Sequence, residues 1–219
     1  MNHLEDFLHS PPSRLLVISA CTSKKKWSPA DSLEASDLDD KMRRMTGESR
    51  LRQYRLPAAE MYTGGGHQYV RHAIGILRDH GYDVAHYILS AGYGWLNECD
   101  VIAPYDVTFA KKSTAWIRAR GQQLGLRKQL IEIADEYQRM IFILGREYLE
   151  AIGLPLPIES LPPTLAYVAP SFAGRLGDGI DITRVGPAEQ REIGAHWSSA
   201  KERQFLSDVH RVWQIEDNQ

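Results

Sequence analysis

Three short stretches of this chain carry side chains capable of chemistry, and each follows or precedes an expected turn in the backbone. Cys21-Thr-Ser-Lys-Lys-Lys26 puts hydroxyls and ammonium groups just beyond an apolar run. Such groups at the carboxyl end of a strand suit an anionic ligand such as phosphate. Ser23 and Lys24 are the candidate ligand-binding residues, and Lys25 the candidate catalytic one. The stretch is not a phosphate-binding P-loop, because the glycine spacing and the helix start are both missing. Cys21 beside three lysines reads either as a nucleophile with a lowered thiol pKa or as a small buried hydrophobe. A solvated basic turn is the plain alternative for the whole stretch.

The second stretch is Met61-Tyr-Thr-Gly-Gly-Gly-His67. Three glycines before a helix let backbone N–H groups approach a ligand, and the helix dipole favours an anion. Tyr62 (as a catalytic or positioning phenol), Thr63 and Gly64 are the candidates here. The same glycines serve equally as a flexible connector. His67 reads as a general base or, more simply, as a first-turn surface residue. The third stretch is Ser90-Ala-Gly-Tyr-Gly94, followed by Pro104-Tyr-Asp106. Ser90, Gly92, Tyr93, Gly94 and Tyr105 would form a slot in which a flat ring stacks. Asp106 would be a base or the partner of a cation. An Ω-loop packed by its own aromatic residues is the alternative.

The elements that must position these residues are legible from periodicity and punctuation. Arg14 to Cys21 is a short apolar run expected to be the first strand, buried on both faces. Residues 27–56 form a charged insertion with some helix, expected to be mobile. Pro57 opens a short helix over Ala58 to Met61. A helix from about His67 to His80 has Val70, Ala73, Ile74 and Leu77 on one face. Val84 to Leu89 is the second strand, and residues 91–110 have no period. Ser113 caps a long helix to about Tyr137, or two helices, since Gly121 and Gly125 weaken its middle. Arg139 to Gly145 is a third strand running into a helix over Glu147 to Ile152. The proline-rich 154–163 is loop or edge strand. Leu165 to Ala169 is a possible strand, Pro187 opens a helix, and Ser198 or Ser199 caps a last helix ending near Gln214. This alternation predicts one three-layer α/β domain over residues 1–219, a mostly parallel sheet covered by helices. A helical C-terminal extension from about residue 187 is expected either to continue it or to be an appendage.

Composition bounds the rest. At 43% hydrophobic and 25% charged the chain reads as an ordinary soluble globular protein. Two cysteines give no disulfide framework, so a reducing cytoplasm is the expected compartment. The first residues carry acid where a signal peptide would carry base. No apolar run approaches the roughly 18 residues of a membrane span. The eight histidines are scattered without metal-ligand spacing, so neither metal nor cofactor is expected. The net charge of -2 conceals two basic runs. Residues 41–55 hold six basic side chains and one acid, among them Arg43, Arg44, Arg50, Arg52 and Arg55. Residues 111–128 hold Lys111, Lys112, Arg118 and Arg120 and no acid. Basic runs interleaved with Tyr54 and Trp116 suit the tracking of a nucleic-acid backbone. Solvated helix faces, one of them paired with the acidic run 31–40, are the alternative.

In order, the chain shows a strand ending in Ser/Cys-x-x-Lys-Lys, then Pro-Ala-x-x-Met-Tyr-Thr-Gly, Ile-Leu-Ser-Ala-x-Tyr-Gly-x-Leu, Val-Ile-x-Pro-Tyr-Asp and Phe-Ile-Leu-Gly-x-x-Tyr. From about Leu15 to Leu149 it resembles the YaaA-like superfamily, which includes peroxide-stress proteins and domains linked to archaeosine and other 7-deazaguanine modifications. The resemblance implies an α/β fold and a tie to nucleic acid or modified bases. In the peroxide-stress branch it implies DNA binding. In the archaeosine branch it implies a lysine that attacks a nitrile-bearing base, at the position of Ser23 with Lys24 or Lys25. The Pro-Cys and Lys-Pro-Tyr that accompany that lysine are absent here. The expected function is recognition or processing of a base or nucleotide at a pocket of strand ends, with no membrane involved. A non-catalytic DNA-binding stress protein and a small-molecule enzyme are the alternatives.

Overall fold

The computed structural model describes residues 3–8 and 14–215. Its strands are β1 (Leu15–Ala20), β2 (Leu56–Pro57), β3 (Val84–Ser90), β4 (Gly94–Asn97), β5 (Val101–Ile102), β6 (Arg139–Ile143), β7 (Thr164–Val168) and β8 (Asp181–Arg184). Its helices are α1 (His3–Leu8), α2 (Ala35–Leu38), α3 (Lys41–Arg50), α4 (Ala58–Met61), α5 (Gly65–Asp79), α6 (Thr114–Gln123), α7 (Leu126–Ala134), α8 (Arg146–Ile152), α9 (Pro170–Ala173), α10 (Pro187–Glu192) and α11 (Ala200–Val212). Six strands form one sheet in the order β4-β3-β1-β6-β7-β8, parallel except for β4. β2 and β5 pair separately. The architecture is α/β, a mixed, mostly parallel sheet with helices packed on it.

Side chains alternate across the sheet, so each central strand feeds two cores. Leu15 and Val17 of β1, Ile141 and Ile143 of β6, and Leu165 and Tyr167 of β7 pack with α5, α11 and α1. Leu16, Ile18, Met140, Phe142, Ala166 and Val168 face the other way, with α7, α8 and α9. β1 is the central strand at which chain direction reverses. From β1 the chain passes through α5 to β3 on one side; from β3 it returns through α6 and α7 to β6 on the other. The helices that follow β1 and β6 therefore lie on opposite faces. A crevice opens outside the strand ends between them, where open α/β sheets hold ligands.

Several expectations are revised. The insertion at 27–56 is packed rather than mobile: Leu33 and Leu51 are buried, and Leu33 pairs with Tyr105. The stretch 91–110 contains β4 and β5. β4 turns back on β3 because Gly94 takes a left-handed φ of 77°. The segment from Ser113 is two helices, α6 and α7, as its glycines allow, divided at Gly125, also left-handed at φ 64°. The C-terminal part is no appendage, since β7 and β8 extend the sheet and α11 packs on α5.

Glycine enters the helices for two different reasons. At Gly121 a methyl group would fall on the carbonyl oxygen of Ala151, so α6 and α8 touch through backbone. At Gly75, inside α5, a methyl meets nothing within 4 Å. In urea unfolding, Gly121→Ala is expected to destabilise the protein by about 1–3 kcal/mol or more. Gly75→Ala should stabilise it by about 0.5–1 kcal/mol. Equal effects would contradict this packing.

Candidate functional site

The chain leaving β1 is strapped to the segment before α5. Lys26 N–H donates to the carbonyl of Met61 at 2.8 Å, and Thr63 N–H to that of Lys24 at 3.0 Å, which sets Lys25 opposite Tyr62. This pairing lets only one of the three lysines turn inward. Lys25 is half-buried, with Nζ 4.2 Å from the centre of the Tyr105 ring, while Lys24 and Lys26 stay exposed. Burial lowers the Lys25 pKa, and the neighbouring Cys21 and Asp106 partly oppose that. The ring face supplies a cation–π contact to the charged form.

Tyr105 belongs to a buried chain of hydroxyls. Ser90 donates to the Tyr105 oxygen at 2.7 Å, and the Tyr105 and Tyr62 oxygens lie 2.7 Å apart. Ser90 Oγ accepts from the N–H groups of Gly92 and Tyr93, both at 3.1 Å, so the turn after β3 fixes the start of the chain. Burial holds both phenols well above the ordinary tyrosine pKa, so they stay protonated. Lys25, Tyr62, Ser90 and Tyr105 thus meet. Asp106 is exposed, acts on Lys25 as a nearby charge, and has its N–H bound to the carbonyl of Leu33 at 2.8 Å.

The aromatic slot expected at Tyr93 and Tyr105 is closed. The two rings pack edge to face at 5.3 Å, and the Arg44 guanidinium covers Tyr93 at 4.6 Å. A methyl at Gly92 would lie 2.7 Å from Tyr105 and 2.8 Å from Leu38, so the glycine serves close packing. The open space lies on the other side of Cys21, a cleft of about 560 Å³ at the crevice between β1 and β6. Residues 19–24 form one wall, Gly64 to His67 a second, and Gly145 to Tyr148 a third; Trp197 to Glu202 close it. Ser23, Lys24 and Gly64 therefore line open space; Gly64 sits so close to Thr22 that a methyl would come within 2.7 Å of its Cβ. Cys21 joins the two regions: its Sγ lies 3.2 Å from the Tyr148 oxygen, and the Tyr148 hydroxyl donates to its carbonyl at 3.1 Å. Tyr148 closes the Phe-Ile-Leu-Gly-x-x-Tyr motif.

His67 is not a surface residue but is 1% exposed. Its Nε2 lies 3.0 Å from the carbonyl of Ala59, and burial lowers its pKa to about 4. Beneath it His86, fully buried, has Nε2 2.8 Å from Ser19 Oγ and Nδ1 3.6 Å from a Glu98 oxygen, with Arg78 holding Glu98. Sequence reasoning passed over Ser19, His86 and Glu98 because no local pattern joins residues that distant. Trp197, Lys201 and Glu202 escaped for the same reason.

The basic residues divide. Arg120 is 4% exposed, donates to the carbonyls of Ala91 and Gly92 and pairs with Asp39, so it presents nothing to a nucleic-acid strand. Arg44 pairs with Glu48, Arg50 with Asp31 and Arg118 with Glu150, and Arg55 donates to the carbonyl of Val101. Arg43, Arg52, Lys111 and Lys112 are exposed, with Lys112 over the Trp116 ring at 5.2 Å. Among the described residues no cluster of three or more His, Cys, Asp or Glu is placed to hold a metal, and no helix is long and apolar enough to cross a membrane.

A family model described as a family of unknown function (DUF6884) matches residues 45–160, just over half of the chain. No curated protein matches it.

Two outcomes are expected. In competitive acetylation across pH, Lys25 should become reactive at lower pH than Lys24; coincident profiles would contradict the buried ammonium. For His67 the unfolded chain binds the proton more tightly than the folded one, so stability falls as pH drops from 6.5 toward 4. The loss should reach about 3 kcal/mol, with buried His86 acting in the same direction and Glu202, whose pKa is raised by burial, opposing it as pH falls through that raised value. Urea unfolding that is flat between pH 6.5 and 4.5 would contradict it.

Proposed function

The chain belongs to the DUF6884 family, and from the geometry of its cleft we propose that it binds a nucleotide and acts on it as an enzyme. The observation that carries this reading is the convergence of Ser23, Lys24 and the glycine-rich start of α5 on one cleft at the reversal point of the sheet. α5 has 15 residues, and its first-turn N–H groups and dipole favour an anion there. Lys24, Arg146 and Lys201 add positive charge around the same space. The cleft volume is that of a small-molecule site. A phosphate seated against Lys24 and Gly65 leaves the base to lie along Tyr148 and the exposed Trp197.

Lys25, the catalytic candidate of the sequence, does not line this cleft; Cys21 and Tyr148 stand between the two. Its half-buried amine, lowered in pKa, would serve as nucleophile or proton acceptor only toward a part of the ligand that reaches past Cys21. Tyr105 and Tyr62 hold it from one side and Asp106 supplies the neighbouring charge. Ser23 and Thr63 belong to the strap that fixes its backbone.

The second reading, a non-catalytic DNA-binding protein of the stress response, rests on the exposed outer side of α3. There Arg43 stands with Met42 and Met45, two of the largest exposed apolar side chains. Residues Arg44, Arg50, Arg118 and Arg120 lend it little, since each already has a carboxylate partner.

Calorimetric titration separates the two. Nucleoside monophosphates and a single-stranded oligonucleotide are titrated at several salt concentrations. The nucleotide reading expects Lys24→Ala to weaken monophosphate binding about tenfold or more, the scale of one lost charge-assisted contact. It expects Arg43→Ala and Arg52→Ala to leave that binding unchanged. Salt-sensitive binding of the oligonucleotide alone, abolished by the two arginine changes, would favour the second reading.

A further inference from the structure

Two buried polar atoms of the cleft residues lack a protein partner: Nδ1 of His67 and Oε2 of Glu202. Glu202 is 9% exposed and comes from the first turn of α11. It stands against the first turn of α5, its Cγ and Oε2 lying 3.3 and 3.6 Å from where a methyl on Gly66 would be. His67 is the next residue of that turn, and both residues line the same cleft.

The chemistry of each atom narrows what would satisfy it. The Ala59 carbonyl only accepts, so His67 Nε2 carries the hydrogen and Nδ1 is a bare acceptor. It requires a donor. Glu202 requires a partner that suits a carboxyl group, which accepts when ionised and both donates and accepts when protonated. A phosphate oxygen cannot donate to His67. An ammonium suits both only with Glu202 ionised, the form that burial disfavours. A hydroxyl both donates and accepts, and two neighbouring hydroxyls would satisfy both residues. Native proteins leave few buried polar groups without partners, because each such group loses its hydration for nothing. Glu202 also projects from a segment outside the residues matched by the family model.

We propose that His67 and Glu202 form a subsite for a vicinal pair of sugar hydroxyls, so that the cleft selects ribonucleotides over their 2′-deoxy counterparts. The inference rests on the nucleotide reading above and specifies the sugar. The phosphate lies toward Lys24 and the base toward Trp197, with the 2′- and 3′-hydroxyls turned to the orphan pair. Missing one hydroxyl leaves a buried acceptor unpaired, which is how hydrogen-bonding sites reject analogues.

The test is calorimetric titration of the full chain with AMP, GMP, CMP and UMP and with each 2′-deoxy form. The expected result is binding of at least one ribonucleotide, with its deoxy form at least tenfold weaker. Glu202→Leu removes the orphan carboxyl at similar volume. It should melt at the same temperature as the parent chain or higher, and should bind the ribo and deoxy forms within about twofold of each other. Glu202→Gln keeps an acceptor and should retain the preference. Equal binding of ribo and deoxy forms by the parent chain overturns the subsite and leaves the nucleotide reading standing. A preference that survives in Glu202→Leu also overturns it. Binding of no nucleotide of either sugar overturns both.

Discussion

The arrangement depends on one constraint: the chain leaving the central strand must bring a lysine ammonium inside without leaving it alone. Two backbone hydrogen bonds between residues 24–26 and 61–63 make the exit from β1 a short antiparallel pair. That pairing fixes which lysine points inward, and the Tyr105 ring waits beneath it. Tyr105 cannot shift, because its hydroxyl is held by Ser90 and faces Tyr62. A flexible lysine would lose side-chain entropy and solvation by entering such a place. The polarised ring face and the nearby Asp106 and Cys21 offset part of that cost.

The same strap shapes the cleft. With residues 21–25 pinned toward Tyr62 on one side, their other side faces the start of α5 and the Gly145 turn. Cys21 and Tyr148 form the partition between the buried hydroxyl chain and the open space. α11 then closes the cleft from far along the chain, and it brings in a carboxyl oxygen without a hydrogen-bond partner. The insertion at 27–56 acts from behind: Leu33 bonds the Pro104–Asp106 loop on both of its backbone sides, and Asp39 receives Arg120. Of the basic side chains in the two runs, Arg120 is clamped internally, while Arg44, Arg50 and Arg118 meet carboxylates nearer the surface.

The strand ends were legible because apolar runs closed by glycine or serine are local signals. β1, β3 and β6 and the helix after the triple glycine follow from them, and the crevice rule points to the lysine triplet and the Tyr105–Asp106 segment, but which lysine turns inward depends on the strap to residues 61–63. What was not legible depends on contacts distant in sequence. β8 is four residues long and its burial is partial, so its alternation is weak. β4 was hidden in an aperiodic stretch because its direction rests on one left-handed glycine. His67 has the sequence context of a surface residue, and it is Tyr62, the Ala59 carbonyl and His86 of β3 that it packs against. Arg120 looks like its neighbours Arg118 and Arg127, and Asp39, which it meets, lies 81 residues earlier.

A crystal structure of the full chain grown with a ribonucleoside monophosphate tests the central claim most directly. The account predicts the phosphate within hydrogen-bonding distance of Lys24 and the N–H groups of Gly65 or Gly66, inside the cleft between β1 and β6. A nucleotide found against α3, or between Tyr93 and Tyr105 with the cleft empty, would contradict it.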